Sequence, residues 1–168
     1  PRSGKSLTVS TLFPSWFLTK QPDKRIIFST YESNFASSFG AKVRDNIKEH
    51  DEFGIRINNK TNRKDEFEIK DHLGGYKSSG VGSSITGRGA DVAIIDDPIK
   101  NAEEAKSSTI KEKIIDWYES TLLTRLEPDG AIILIQTRWA LDDLTGWLLD
   151  NEPDEWTVLN YPALNDKG

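Results

Sequence analysis

The stretch VAIIDD at residues 92–97 decides how this chain reads. Four consecutive apolar residues bounded by polar ones are the length of a strand buried on both faces. The run ends in two carboxylates and then Pro98. A strand ending in Asp is what the Mg²⁺ site beside a bound nucleoside triphosphate requires. Asp96 is the residue to hold Mg²⁺, through water, and Asp97 stands where a general base orients an attacking water. The plain alternative is a strand followed by an Asp-Pro turn.

Upstream, GKS at residues 4–6 supplies the last three positions of the phosphate-binding pattern G-x-x-x-x-G-K-[ST]. Gly4 lets the backbone approach phosphates, Lys5 reaches the β- and γ-phosphates, and Ser6 offers a hydroxyl to Mg²⁺. Leu7, Val9, Leu12, Phe13, Trp16 and Phe17 follow at helical spacing, so a helix points its positive end at the anion. Alone, the tripeptide is equally a loop in which Gly, Lys and Ser meet by chance. The first glycine of the pattern would precede Pro1. The chain therefore reads as a fragment of a longer polypeptide that begins inside the phosphate loop.

One strand-helix unit separates the two motifs. RIIFST (residues 25–30) is a buried strand, and Phe35, Phe39, Val43 and Ile47 mark one helical stripe over residues 34–48, capped by Ser33 or Asn34. Ile55 with Ile57, and Phe67 with Ile69, alternate as two short strands. The stretch GGYKSSGVGSSITGRG (residues 74–89) reads as mobile loop around a short strand. A helix is expected over residues 109–126, with Thr109 and Glu112 as a capping box and Ile110, Ile114, Trp117 and Leu122 on its apolar face. Residues 131–135 form another buried strand, followed by Gln136, Thr137, Arg138 and Trp139. In a phosphate-loop core that strand ends beside the γ-phosphate, where Gln136 or Thr137 senses hydrolysis. Plain polar residues at a strand end are the alternative. A short helix over residues 142–149, capped by Asp142 and Asp143, and a last strand over residues 156–159 complete the pass.

Apolar strands alternating with helices define the expected fold class: α/β, a RecA/ASCE-like P-loop NTPase with a mostly parallel sheet and helices on both faces. The bulk numbers agree with one domain. The chain has 168 residues, of which 36% are hydrophobic and 29% charged, a formal charge of -5 and no cysteine. The missing cysteines exclude disulfide frameworks and thiolate chemistry. No apolar run approaches the ~20 residues that span a bilayer. His50 and His72 lack partners at metal-ligand spacing. Trp117 and Trp139 read as core rather than base-stacking platforms, and Lys111, Glu112 and Lys113 as a solvated helix face.

Together PRSGKS (residues 1–6), TGRGADVAIIDDPIK (residues 86–100) and ILIQTRW (residues 133–139) resemble the large terminase subunit of tailed phages. The segment STYESNFA (residues 29–36) is similar to the strand-helix motif that follows the first helix in that family. The resemblance implies an ATP-driven motor that packs double-stranded viral DNA into a procapsid. Residues 1–168 would be its ATPase domain, and a nuclease domain would lie beyond Gly168. It implies ATP and Mg²⁺ as cofactors. The implied partners are double-stranded DNA, the small terminase subunit, the portal protein and further copies of the chain in a ring. The implied setting is the cytoplasm of the bacterial host, outside the mature virion and without a membrane contact.

Residue by residue, Lys5 and Ser6 match the phosphate-loop pair, and Arg2, beside Ser3 and Gly4, matches an arginine common in that loop. Asp96 matches the Mg²⁺ aspartate, and Gln136 and Thr137 match the coupling motif. Arg88 is placed like a trans-acting arginine finger, with a solvated loop arginine as the plain alternative. Many relatives carry Glu where this chain has Asp97, which leaves room for Glu103 or Glu104 to assist as base. Two rival readings stand beside the motor: another RecA-like motor such as a helicase, and a nucleotide-binding DNA-binding module without turnover.

Overall fold

The two apolar runs that the sequence marks most strongly become the centre of the sheet. The computed structural model describes residues 4–85, 87 and 89–160. Its strands are β1 (Arg25–Thr30), β2 (Ile57–Asn62), β3 (Glu66–Ile69), β4 (Gly75–Gly80), β5 (Ala90–Asp96) and β6 (Leu126–Ile135). They form one six-stranded sheet in the order β2-β3-β4-β1-β5-β6. β4, β1, β5 and β6 run parallel, while β3 pairs antiparallel with both β2 and β4. The sheet is therefore mostly parallel, with an antiparallel margin.

Four helical runs pack on it. We number them α1 (Lys5–Leu7, Thr8–Leu12 and Phe13–Lys20 in continuous succession), α2 (Ser33–Glu49), α3 (Ser108–Trp117, continued by Tyr118–Leu122 and Leu123–Arg125) and α4 (Leu144–Asn151). Strand alternation sorts the cores. Ile26, Phe28, Val92 and Ile94 face a cluster with Leu18 of α1 and Ala36, Phe39, Val43 and Ile47 of α2. Ile27, Ala93 and Ile95 face the opposite cluster, with Ile114, Trp117, Tyr118 and Leu122 of α3 and Leu144 and Leu148 of α4. Helices thus cover both faces.

Several local expectations need correction. The short strand expected within the Gly/Ser-rich stretch is present as β4, and it lies inside the sheet, between β3 and β1, rather than in a loop. Its small residues answer a packing demand rather than a loop: a Cβ on Gly75 would meet the Phe67 carbonyl oxygen at 2.5 Å. The helix α2 starts after Glu32, without a side-chain cap. Ser33 instead turns its hydroxyl to the Gly80 amide at 3.1 Å, tying the helix start to the end of β4. The cap of α3 is Ser107, whose hydroxyl accepts from the Ile110 amide, rather than the Thr109 pair. β6 begins at Leu126, and its Ile132, Ile133, Leu134 and Ile135 are half-buried rather than buried. The reason is position: β6 is an edge strand of the sheet among the described residues. Residues 156–160 form no strand. Asp143 caps α4 through the Gly146 amide, whereas Asp142 pairs with Lys111, so Lys111 is not part of a solvated face. Trp117 is buried and donates its indole N–H to the Ser83 carbonyl at 3.1 Å, but Trp139 is 48% exposed and not a core residue.

Candidate functional site

The site begins where α1 begins. Gly4 takes a left-handed backbone (φ 80°) that a side chain would strain, and the helix starts at Lys5 immediately after it. The first amides of that helix have no intrahelical acceptor, and their dipoles favour an anion. Arg2, Ser3 and Arg88 lie outside the described residues.

β5 delivers Asp96 to the same edge of the sheet. In β5, Val92, Ile94 and Asp96 share the face that α1 and α2 cover, so the Asp96 side chain points at α1. It is 3% exposed. The Ser10 hydroxyl donates to Asp96 Oδ2 at 2.6 Å. The other oxygen, Oδ1, is buried without a hydrogen-bond partner among the described residues. Burial pushes the Asp96 carboxyl above the usual carboxylate range, and the charge of Asp97 adds to this. The hydroxyls of Ser10 and Ser6 and the ammonium of Lys5 act in the opposite sense. Lys5 and Ser6 therefore stand close enough to Asp96 to act on its carboxyl.

Asp97 has turned away from the strand. Its backbone is left-handed (φ 43°), a conformation that costs a residue with a Cβ on the order of 1 kcal/mol and that persists only where neighbours enforce it. Those neighbours are visible. The Asp97 amide donates to the Ile135 carbonyl at 2.8 Å, and the Thr30 hydroxyl donates to the Asp97 carbonyl at 3.4 Å. The Asp97 carboxylate accepts from the Thr137 amide at 2.9 Å. The two loops at the ends of β5 and β6 are thus one hydrogen-bonded unit. Gln136 lies in it with its amide Nε2 buried and without a hydrogen-bond partner among the described residues. Glu104 uses its carboxylate to accept from the Lys100 amide, and Glu103 is exposed.

Lys5 and Gln136 also line one cleft of about 350 Å³, together with Arg138. Arg138 is moored there: its guanidinium donates to the buried Asp143 carboxylate at 2.9 Å and to the Leu141 carbonyl at 2.9 Å. Sequence reading missed Ser10 and the Arg138–Asp143 pair. Ser10 had a signal, since it follows Ser6 by four residues and so shares its helical face. Arg138 had none, because its partner is fixed by the loop between them.

These features define a class: an α/β protein whose polar site lies at the carboxyl ends of its parallel strands, against the start of a helix. The family follows from the comparisons. The chain belongs to the family described as terminase large subunit, T4likevirus-type, N-terminal, whose model matches residues 1–165. Its fold is similar to that of the crystal structure of the HK97 bacteriophage large terminase, with a TM-score of 0.60 and 13% sequence identity. That match covers 92% of this chain and 31% of the HK97 chain, and at such identity it speaks for the fold alone. Among curated proteins none matches the chain. No helix among the described residues is long and apolar enough to cross a membrane.

Proposed function

We propose that this chain is the ATP-hydrolysing part of a phage DNA-packaging motor, built on a P-loop NTPase fold. ATP hydrolysis would drive double-stranded DNA into a procapsid, in a ring of copies that meets the small terminase subunit and the portal protein. The setting would be the cytoplasm of the bacterial host. Membership of the large-terminase family supports the packaging role. The single observation that carries the chemistry is the buried, unpartnered Oδ1 of Asp96, which shares its surroundings with Ser6 and Lys5 at a helix start.

That donor set fits Mg²⁺. No group of three or more His, Cys, Asp or Glu side chains comes together among the described residues. Mg²⁺ needs no such cage, because it takes one or two protein oxygens and fills its shell with water and phosphate. Ser6 and Asp96 would hold it, and the bound ion would neutralise charge on the β- and γ-phosphates. Gly4, Lys5 and the first amides of α1 bind and orient the triphosphate, with Arg2 and Ser3 completing the loop. Asp97 orients the attacking water, Gln136 and Thr137 respond to the γ-phosphate, and Arg88 reaches a neighbour's nucleotide in the ring.

The test is phosphate release by the assembled full polypeptide with DNA present. Lys5→Ala and Asp96→Ala each lower it at least about 100-fold, as loss of a charge-stabilising group does in phosphoryl transfer. Unchanged release in both variants would reject the site. A second reading, nucleotide binding without turnover, has one observation in its favour: the Asp97 carboxylate is occupied by the Thr137 amide. Tight Mg-ATP binding with no phosphate release from assembled protein would select it.

A further inference from the structure

The path of α1 puts Ser10 against Asp96. After one ordinary turn the helix widens over Thr8–Leu12, and the Phe13 amide reaches back five residues to the Thr8 carbonyl. Pro14 follows at once. Proline has no amide hydrogen, and its ring crowds the carbonyl four residues before it, here that of Ser10. Widening the preceding turn relieves that crowding, and such π-type turns recur at functional sites. Ser10, on the widened turn, is fully buried, and its hydroxyl meets Asp96 Oδ2 at 2.6 Å.

This contact makes the two Asp96 oxygens unequal. Oδ2 is engaged by Ser10, and Oδ1 is buried with no partner among the described residues. We propose that Ser10 is a positioning residue for the cation site: by holding Oδ2 it fixes the carboxylate rotamer and leaves Oδ1 alone to face a divalent cation. The inference rests on the Mg-ATP reading above and deepens it. Outer hydrogen bonds of this kind orient metal-binding carboxylates, and removing one typically weakens the metal site about 10- to 100-fold.

The experiment compares ADP binding by calorimetry in EDTA and at increasing Mg²⁺, using the full polypeptide, for wild type, Ser10→Ala and Ser10→Thr. Mn²⁺ binding in the presence of ADP, read by paramagnetic resonance, gives a second measure. Ser10→Ala is expected to need about 10- to 100-fold more cation for the same gain in ADP affinity, with affinity in EDTA unchanged within about twofold. Ser10→Thr, which keeps a hydroxyl, is expected to restore the cation dependence. If Ser10→Ala does not fold, Ser10→Cys keeps the volume, loses the strong donor and enters the same comparison. An unchanged Mg²⁺ requirement in a folded variant, or an equal loss of affinity with and without Mg²⁺, overturns the positioning role. Wild-type protein whose ADP binding ignores Mg²⁺ altogether overturns the cation site itself, a separate result.

Discussion

Strand β5 has an aspartate near each end, and the fold treats the two in opposite ways. Asp91 is fully employed: one oxygen takes the Lys24 ammonium at 2.7 Å and the other takes the Arg25 amide at 2.8 Å. Asp96, five residues on and more deeply buried, keeps one oxygen without a hydrogen bond among the described residues and holds the other against Ser10. A buried polar atom left without a partner costs on the order of 1–3 kcal/mol, so the C-terminal end of the strand is less stable than it needs to be. The N-terminal end shows that this fold can satisfy a carboxylate on the same strand when nothing else is asked of it. On the proposed reading, the difference marks where structure ends and a binding site begins.

The largest change in stability is expected at the structural end. Asp91→Ala removes the acceptor for the Arg25 amide at the start of β1, and losing that bond costs about 1–2 kcal/mol. The exposed Lys24 ammonium adds little. Chemical denaturation reads the loss, and Mg-ATP binding stays unchanged. A variant that kept full stability, or lost nucleotide binding, would erase the contrast between the two ends.

Asp96→Asn should do the reverse. The wild-type carboxyl is held above its ordinary range chiefly by burial, so its ionised form disfavours the folded state. The sign follows from linkage. That penalty is absent at pH below the unfolded-state value of about 3.9, grows as pH rises from there to the raised folded-state value, and is complete above it. Asn carries no charge to desolvate and still accepts from Ser10. Without nucleotide, the variant is therefore more stable than wild type at neutral pH, and the advantage fades on acidification. A variant less stable than wild type at pH 7 would mean that Asp96 is a structural residue like Asp91.

How much of this was legible beforehand depends on what fixes each element. β1 falls on residues 25–30 as its apolar run requires, because a strand buried on both faces has no alternative. β4 was legible only as a short strand within a loop, since Gly75 and Gly80 are chosen by the close approach of neighbouring residues and not by strand propensity. The α3 cap was displaced because Ser107 serves the Ile110 amide, two residues before the pattern that Thr109 and Glu112 suggested. Trp139 read as core because tryptophan usually is, yet it follows an outer strand and stays half exposed. That Lys5 and Ser6 come close to Asp96 was legible from motif and order, while their roles belong to the proposed reading. The widened turn in α1 was not legible, because it depends on an amide that Pro14 lacks.

The smallest effect on stability is expected next door, at Asp97, and it carries the most about mechanism. This residue sits at φ 43° with its carboxylate on the Thr137 amide. Asparagine tolerates the left-handed backbone at least as well as aspartate and offers the same acceptor oxygen. Asp97→Asn should therefore change unfolding free energy by less than about 0.5 kcal/mol. On the proposed reading it removes the group that orients and deprotonates water, and phosphate release falls about 100- to 10,000-fold with ATP affinity retained. If release instead continues at the wild-type rate, Asp97 is a tether between the loops after β5 and β6. Its one indispensable feature would then be the acceptor for Thr137, and Asp97→Ala, which deletes that acceptor, would lose both stability and turnover where Asp97→Asn lost neither.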